Sequence, residues 1–401
     1  MKRTLAFVLA LCLLCPTVAL AKDNAPVYTL PTKGVTVLQS EAARAPAPAA
    51  DTAPHAAIPG ESPITGLPWQ GDYRPMLAHI NHSEGSEKVG KTTVKAFGIG
   101  KATPWGLQYA DILYEELLFV GGYTRITALF SDCFAQGQPA GGMGPVRSCR
   151  IGPLLLRSEW QAGVVYAGGE GSFWLRDGIA VPTPEEDAAV AQGAFMNLFS
   201  AKYEALRYRV RGVKAPANLN IDLPGLRATL DPAFTSTPHA FLFTDQADRG
   251  EAYAPARTVH LDWGRDESVT HFVYGAASGG YLRYCGPGLN AAKWAKYAPY
   301  AGAEARDEAD RVQSAYANLI VQRVDYTLEN SSKLRPIVQS VGSGNADLFI
   351  GGRYIPGTWA RPSLDAPTVF YDDQGNELRL NRGKTYIAHF PTDAMCAYAA
   401  D

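Results

Sequence analysis

Short segments in which apolar and polar residues alternate, separated by glycine turns, constrain the fold of this chain more than any other feature of its sequence. In the segment YTRITALFSD, Ile126, Ala128 and Phe130 lie on one face of a predicted strand. Arg125 and Thr127 lie on the other face. The 39 glycines, 28 prolines and 20 tyrosines among 401 residues also favour turns and strands. We therefore expect a chain that is rich in β structure.

The first half of the folded chain mixes predicted strands with predicted helices. RPMLAHINH, ADILYEELLF and YTRITALFSD are predicted strands, and the turn Gly121–Gly122 joins the last two. The segment SEGSEKVGKTT is expected to be a polar connector. A helix is predicted from about Pro153 to Gln161, because proline is acceptable in a first helical turn. AGVVYAGG is a short buried strand, and AFMNLFSAKYEALRYRV is a second helical segment because its apolar residues recur at helical spacing.

The second half, from about Pro238 onward, consists of short alternating strands. THFVYGAASGGYLRYC, ADLFIGGRYIPG and TVFYDDQGNELRLNRGKTYIAHF are predicted hairpins with glycine-containing turns, and NLIVQRVDYTL is a further strand. The fold class that follows is α+β. We predict a layered, mixed β/α N-terminal domain at residues 69–230 and a mainly β C-terminal domain at residues 236–396.

Residues 1–21 have the pattern of a secretory signal peptide. Two basic residues precede an apolar stretch that is short for a membrane span, contains Pro16 and ends at Ala19-Leu20-Ala21. Residues 22–68 are rich in alanine and proline and are predicted to be a disordered linker. The folded part would then begin near Trp69. We expect a secreted protein of the extracytoplasmic cell envelope, with membrane contact only through an uncleaved signal.

The charge balance argues against a nucleic-acid partner. The chain has 37 Lys and Arg against 39 Asp and Glu, for a formal net charge of −2. It has no basic run of the kind that binds a phosphate backbone. The sequence therefore predicts a protein that binds no nucleic acid.

Four of the six cysteines, Cys133, Cys149, Cys285 and Cys396, lie outside the predicted signal peptide. Export permits disulfides, and a Cys133–Cys149 bond would close a loop worth about 3 kcal/mol in the chain-entropy model. Four cysteines allow three complete pairings, and buried free thiols are an equal alternative. The spacing does not choose among them.

The sequence lacks the common catalytic signatures GxxxxGK[ST], GxSxG, HExxH and SxxK. The glycine-rich segment AGGEGSFW matches no phosphate-binding fingerprint and is predicted to be a tight turn. His79 and His82, with Glu84 nearby, are the residue types that bind zinc. Positions three apart on a strand point to opposite faces, so we interpret both histidines as structural. We predict no metal and no cofactor.

Arg147 and Arg150 lie in the turn GGMGPVRSCRIGP, just before the predicted helix. The first turn of a helix carries partial positive charge, so arginines there require an anionic partner. Asp111 and Glu115, on one predicted strand, are the nearest candidates for this partner. With Arg125 on the next strand, the group has three positive side chains against two negative ones. This cluster is either an internal ion-pair network or a cleft with surplus arginine that binds an anion. The candidate ligand-binding residues are Asn81, Asp111, Glu115, Arg125, Arg147, Ser148 and Arg150.

The carboxylates of ADILYEELLF also suggest an acid/base pair. Asp111 and Glu115 share a strand face with Leu113, whereas Glu116 points to the other face. Two carboxylates on one face can reach the separation that glycoside hydrolysis uses. A solvated strand edge would have the same pattern, so spacing alone does not decide.

Several motifs occur together in a fixed order: RPMLAHINH, GLQYADILYEELLFVGGYTRITALFSD, MGPVRSCRIGPLLLRSEWQAGVVYAGG, KAPANLNI, VGSGNADLFIGGRYIPGTWARP and YDDQGNELRLNRGKTYIAHFP. In this order they resemble the YerB-like family of bacterial exported lipoproteins, a two-domain family without an established activity. The resemblance extends from about Asp72 to Pro391. It implies an α+β N-terminal domain, a β-rich C-terminal domain and an envelope location. Arg125, Arg147 and Arg150 match the family pattern.

Three features depart from that pattern. Ala217 stands where the family often has a histidine, so the resemblance implies no catalytic role at this position. Cys149 stands where a small residue is usual, which argues against an essential thiol. The lipid-attachment cysteine of the family is missing, so the resemblance does not imply a lipid anchor here.

Taken together, the sequence favours an exported, non-enzymatic protein that binds an anionic cell-wall or envelope-protein ligand through an arginine-lined cleft. The alternative is a hydrolase that acts on cell-wall glycan or peptide with Glu115 or Asp111 as general acid or base. A third possibility is a scaffold for partner proteins, which would expose a large apolar patch.

Overall fold

The computed structural model describes residues 34–38, 44, 46–48, 55–169, 187–245, 249–288, 295–296, 312–329 and 335–401. Strands dominate these residues, so the fold is mainly β, and the helices are few and short. The predicted signal peptide and most of AGGEGSFW lie outside the described residues.

Ten strands come from the first 221 residues. They are β1 (Thr36–Leu38), β2 (Met76–Ile80), β3 (Glu84–Val89), β4 (Thr92–Phe97), β5 (Ile112–Phe119), β6 (Tyr123–Phe130), β7 (Gly163–Tyr166), β8 (Phe195–Asn197), β9 (Arg207–Arg209) and β10 (Leu219–Ile221). The α-helices are α1 (Ile151–Trp160), α2 (Asp187–Ala191) and α3 (Leu223–Arg227).

The remaining strands follow after residue 241. They are β11 (Leu242–Thr244), β12 (Ala254–Pro255), β13 (Thr258–Leu261), β14 (Thr270–Gly275), β15 (Gly280–Cys285), β16 (Ala295–Lys296), β17 (Ala315–Tyr316), β18 (Asn318–Val324), β19 (Tyr326–Leu328), β20 (Pro336–Val338), β21 (Gly342–Ile350), β22 (Arg353–Arg361), β23 (Val369–Tyr371), β24 (Arg379–Asn381), β25 (Thr385–Pro391) and β26 (Cys396–Ala399).

The largest sheet has 11 strands and contains segments of both predicted domains. Its order is β12-β22-β21-β18-β25-β5-β6-β2-β7-β8, with β23 paired to β22. β25, near the end of the chain, pairs in parallel with β5, so that Ile387 lies opposite Tyr114. A second sheet of seven strands has the order β1-β26-β13-β14-β15-β16, with β17 on β15. One continuous ladder therefore joins the two halves of the sequence.

Alternation along the strands separates the buried apolar side chains into two clusters. One cluster contains Ala78 and Ile126 from the large sheet together with Val259 and Phe272 from the seven-stranded sheet. The other contains Leu77 and Tyr114 from the opposite face of the large sheet and the buried leucines of α1. The interior of the molecule thus lies on both faces of the large sheet.

Several sequence predictions are confirmed. RPMLAHINH, ADILYEELLF, YTRITALFSD and AGVVYAGG form β2, β5, β6 and β7, and the first two C-terminal hairpins form β14–β15 and β21–β22. The helix predicted at Pro153–Gln161 is α1, which begins two residues earlier.

Other predictions are wrong. The polar connector forms a local hairpin, β3–β4. The other differences arise because pairing partners distant in the sequence override local pattern. The second helical segment instead contains β8, paired in parallel with β7, a 3-10 turn and β9. The third hairpin forms only at its turn, where Tyr371 lies opposite Glu377 and the N–H of Leu378 donates to the carbonyl of Phe370 at 2.8 Å. Beyond the turn, β23 pairs with β22 and β24 pairs with β11. NLIVQRVDYTL divides into β18 and β19, which lie in different sheets.

The predicted linker at residues 22–68 is wrong for its described part. β1 pairs antiparallel with β26, and Ile64 is fully buried. The hydroxyl groups of Ser62 and Thr65 donate to the carboxylate of Asp132 at 2.8 and 2.6 Å. The ordered structure therefore begins before Trp69. No helix within the described residues is long and apolar enough to span a membrane.

All four cysteines are free and buried, so the structure shows no disulfide among them. Burial raises the pKa of the Cys149 thiol to about 12 and that of Cys285 to about 11. These thiols stay protonated at neutral pH, and none has the character of a nucleophile.

Buried histidines are a further feature of the core. His260 on β13 lies directly opposite His271 on β14, and their Nδ1 atoms are 2.5 Å apart. The ring of His239 packs on that of Trp160 with 4.1 Å between the centroids. Burial lowers the pKa of His239 and of His82 to about 4 and that of His260 to about 3. These rings are therefore neutral in the folded protein at neutral pH.

We predict that acid destabilises the protein through these histidines. An unfolded histidine titrates near pH 6.5, so between about pH 6.5 and 4 the unfolded state binds more protons, and the free energy of unfolding falls as the pH is lowered. For His239 the expected loss between pH 7.5 and 5.0 is about 2 kcal/mol, measured by urea unfolding. His239→Gln should lose less stability over this interval than the wild type. An unchanged pH dependence in His239→Gln would contradict this explanation.

Candidate functional site

Two adjacent glutamates of β5 face opposite sides of the large sheet. Glu115 lies on the same side as Leu113, towards the seven-stranded sheet. Glu116 lies on the side of Tyr114, towards α1. Each carboxylate is buried, and each belongs to a different cluster of charged residues.

Glu115 forms an ion pair between the two sheets. Its Oε2 accepts a 2.7 Å hydrogen bond from Arg283 on β15 and a short one from the hydroxyl of Tyr386. Its Oε1 accepts from Thr124 at 2.7 Å, and Nδ1 of His82 lies 3.4 Å away. Burial opposes ionisation, but the charges of Arg283 and His82 and the hydrogen bonds from Tyr386 and Thr124 together outweigh it and lower the pKa of Glu115. The interpretation of Glu115 as a neighbour of Arg147 and Arg150 is therefore wrong.

Asp111 is also separate from the arginines, because it precedes β5 and turns towards the end of β6. Its Oδ2 accepts hydrogen bonds from the backbone N–H groups of Ser131, at 2.6 Å, and Asp132, at 3.0 Å. Burial and the charge of Asp132 raise the pKa of Asp111. Asp111 therefore stabilises the chain reversal after β6 and does not contact the predicted anion site.

The segment before α1 is held between β2 and β7 by its backbone. The N–H of Arg147 donates to the carbonyl of His79 at 2.9 Å, and its carbonyl accepts from Ala167 at 2.9 Å. Arg150 occupies the position just before α1 in an extended conformation, without a side-chain cap. The backbone therefore fixes where both arginines emerge, at the amino end of the helix.

Three guanidinium groups converge at this end of α1. Arg125, on β6, is 4% exposed, and its Nη1 donates to the carbonyl of Ser148 at 3.1 Å. Burial, followed by the charges of Arg150 and Arg147, lowers the pKa of Arg125, and Glu116 acts in the opposite direction. Arg147 is half-buried, and burial and the charge of Arg209 lower its pKa. We call Arg125, Arg147 and Arg150 the arginine cluster.

Glu116 is the carboxylate that faces this cluster. It pairs in register with Arg125 across β5 and β6. The carboxylate of Glu116 lies directly at the amino end of the helix. Gly152, in the first turn of α1, leaves room for it, because a Cβ at this position would lie 2.2 Å from both carboxylate oxygens of Glu116. Its Oε2 accepts no hydrogen bond within the described part of the chain and lies 3.6 Å from Nδ1 of His389. Sequence analysis missed Glu116, although alternation along β5 and β6 places it opposite Arg125.

The structure brings four of the seven predicted site residues together: Arg125, Arg147, Ser148 and Arg150. Asn81 adjoins them through its backbone, which donates to the carbonyl of Pro145 at 2.8 Å. Its side chain donates instead to the hydroxyl of Ser83 at 2.7 Å.

The two histidines of HINH lie on opposite faces of the sheet, as predicted. Nδ1 of His79 is 3.0 Å from the hydroxyl of Thr127, and its Nε2 has no hydrogen-bond partner among the described residues. His82 lies beside Thr124 and Glu115 on the other face. Within the described ranges, no three His, Cys, Asp or Glu side chains are grouped to bind a metal ion.

These features define a mainly β protein with two packed sheets and a buried arginine cluster at the amino end of a helix. Residues 99–235 match the family described as "Protein of unknown function (DUF3048) N-terminal domain", and residues 259–387 match the C-terminal domain of that family. The chain belongs to this two-domain, YerB-like family. A search of curated proteins found no match.

The fold is also similar to a solved structure, the crystal structure of YerB protein from Bacillus subtilis. The two chains share 20% identity with a TM-score of 0.54, over 82% of this chain and 95% of that one. This likeness concerns the fold, and it assigns no activity.

We predict that removal of one member of the Glu115–Arg283 pair is costly. Glu115→Ala leaves a buried guanidinium without its carboxylate, which should lower the free energy of unfolding by about 3–5 kcal/mol. The double variant Glu115→Leu/Arg283→Met should be more stable than Glu115→Ala, because no charge remains buried. Urea unfolding tests both, with Glu84→Ala on the exposed edge of β3 as a control. A double variant less stable than Glu115→Ala would contradict the ion-pair argument.

Proposed function

We propose that this protein is an exported cell-envelope protein that binds an anionic cell-wall or protein ligand at the arginine cluster, without catalysis. The observation that supports this most directly is the environment of Arg125. This guanidinium is 4% exposed and lies beside Arg147 and Arg150, whose charges lower its pKa, and Glu116 is the carboxylate that acts in the opposite direction.

A buried cluster of like charges is unfavourable unless an anion compensates it. Each guanidinium loses hydration on burial, and each raises the electrostatic energy of the others. A carboxylate or phosphate that accepts bidentate hydrogen bonds would offset both costs. The Nε2 of His79, a ring on which the charges of Arg125, Arg150 and Arg147 act, adds a buried polar atom without a hydrogen-bond partner among the described residues.

The envelope location rests on the sequence. The signal-like pattern of residues 1–21 and the resemblance to a family of exported proteins both favour secretion. We further propose that the N-terminal half is the α+β domain predicted from the sequence. In support of this, the buried leucines of α1 share a cluster with Leu77 of β2 and Val164 of β7.

We predict that Arg147→Ala weakens binding of the full chain to soluble peptidoglycan fragments. Loss of a partly desolvated guanidinium that contacts an anion should reduce affinity about tenfold or more, measured by isothermal titration calorimetry. Arg257→Ala, an exposed arginine beside the seven-stranded sheet, is the charge-matched control and should bind like the wild type. Equal affinities for all three proteins would remove the proposed ligand site.

A second candidate function is hydrolysis of the wall ligand with Glu116, not Glu115, as the acid/base group. The observation that favours it is the Oε2 of Glu116, which accepts no hydrogen bond from the described residues and faces His389. A general acid or base must be within hydrogen-bond reach of the reacting group, and this oxygen is the one at the cluster that has capacity to accept a proton.

Glu116→Gln separates the two functions. Under the binding proposal, this variant should bind acidic fragments at least as tightly as the wild type, because a negative charge is removed beside the arginine cluster. Under the hydrolase proposal, product release from peptidoglycan, followed by chromatography, should occur with the wild type and disappear in Glu116→Gln. Turnover by the wild type that Glu116→Gln abolishes would overturn the non-enzymatic proposal.

A further inference from the structure

We propose that the ligand is an extended, carboxylate-bearing glycan strand that continues from the arginine cluster across the β9–β10 hairpin. This inference rests on the proposed function and adds a second contact surface and a ligand class. It concerns the segment Arg207–Lys214, of which the sequence predicted only Arg207–Val210 to be helical.

The β9–β10 hairpin lies directly beside the segment that carries Arg147. β10 pairs with β9, placing Leu219 opposite Arg209. On its other side, the N–H of Val146 donates to the carbonyl of Leu219 at 3.0 Å, and Met143 exchanges two backbone hydrogen bonds with Ile221. Arg209 is close enough to Arg147 for its charge to perturb that guanidinium. The positive surface therefore continues from the cluster onto the hairpin.

The charge of this hairpin differs from that of the rest of the chain. Residues 205–221 contain three arginines and one lysine but no Asp or Glu, whereas the whole chain has a formal net charge of −2. Arg209, Arg211 and Lys214 are exposed. A row of exposed cations beside a buried cluster fits a ligand with acidic groups at intervals better than a single small anion.

An exposed aromatic ring near this row favours a sugar backbone. Phe199 is 57% exposed, whereas the exposed Tyr208, adjacent to Arg209 in β9, points to the other face of the hairpin. The Phe199 ring lies against Gly168, whose carbonyl accepts the N–H of Cys149, the residue before Arg150. An exposed ring offers a rigid apolar face, against which the C–H face of a sugar can pack, while arginines bind its carboxylates bidentately.

Binding of the full chain to polygalacturonate, a carboxylated polysaccharide, tests the proposal. We expect Arg209→Ala/Arg211→Ala to weaken polygalacturonate binding about tenfold and digalacturonate binding much less, since Arg209 acts on the anion site only through its charge beside Arg147. Lys88→Ala/Lys91→Ala removes the same charge from the exposed β3–β4 hairpin and should bind both like the wild type. Neutral dextran should not bind. Polyuridylate should bind more weakly than polygalacturonate, although aromatic rings and cations also bind single-stranded nucleic acid.

The outcomes separate this inference from the proposed function. Wild-type affinity of Arg209→Ala/Arg211→Ala for polygalacturonate, equal binding of dextran, or preference for polyuridylate would each overturn the glycan strand. If Arg147→Ala still weakens digalacturonate binding in those cases, the anion site itself remains supported. If neither galacturonate probe binds to the wild type, the proposal of an extended glycan ligand is overturned. The proposal of an anion site is then tested separately, by the titration of Arg147→Ala with peptidoglycan fragments.

Discussion

The pleat of β5 directs Glu115 and Glu116 to opposite faces of the large sheet, and the charged interior on each face depends on this separation. On one face, Glu115 binds Arg283 and thereby connects the large sheet to the seven-stranded sheet. On the other face, Glu116 lies between Arg125 and the first turn of α1. A shift of β5 by one residue would place Leu117 opposite Arg125 or Tyr114 opposite Arg283, and so leave one of the two arginine groups without a carboxylate.

The two carboxylates differ in how completely their oxygens accept hydrogen bonds. Both oxygens of Glu115 accept hydrogen bonds, and its charge is opposed by a buried guanidinium, as expected for a structural ion pair. In the other cluster, Glu116 Oε2, His79 Nε2 and His389 Nδ1 have no hydrogen-bond partner among the described residues. Buried polar groups are normally satisfied, so the carboxylate with an unsatisfied oxygen is the better marker of a ligand site.

Local sequence pattern predicted the parts of the fold that depend on local interactions. Alternation along β6 predicted that Arg125 and Thr127 lie on the face of the strand away from Ile126, and the helix after the arginine turn formed as expected. Pattern did not predict that AFMNLFSAKYEALRYRV would form two strands, because β8 is stabilised by parallel pairing with β7, some 30 residues earlier. The conformation of this segment depends on pairing with a distant strand, which the local sequence does not contain.

Local sequence pattern also failed to identify which carboxylate lies at the candidate site. Arginines before a helix indicated that an acid or an anion must lie nearby, and this physical requirement is met by Glu116. The sequence pointed instead to Glu115, whose true partner, Arg283, is 168 residues away. Alternation alone was sufficient to choose between the two glutamates, since Arg125 pairs with Glu116 across β5 and β6.

The position of Glu116 also changes what the arginines require. Its carboxylate lies against the first turn of α1, so part of its charge already compensates the helix end. Arg125 beside it is almost completely buried, and the charges of Arg150 and Arg147 lower its pKa further. An isolated cation at such depth would be costly, and neighbouring arginines make the cost greater. An anion that enters beside Arg125 and Arg147 supplies the missing charge without displacing Glu116 from the helix, which is why we assign the ligand to this face of the sheet.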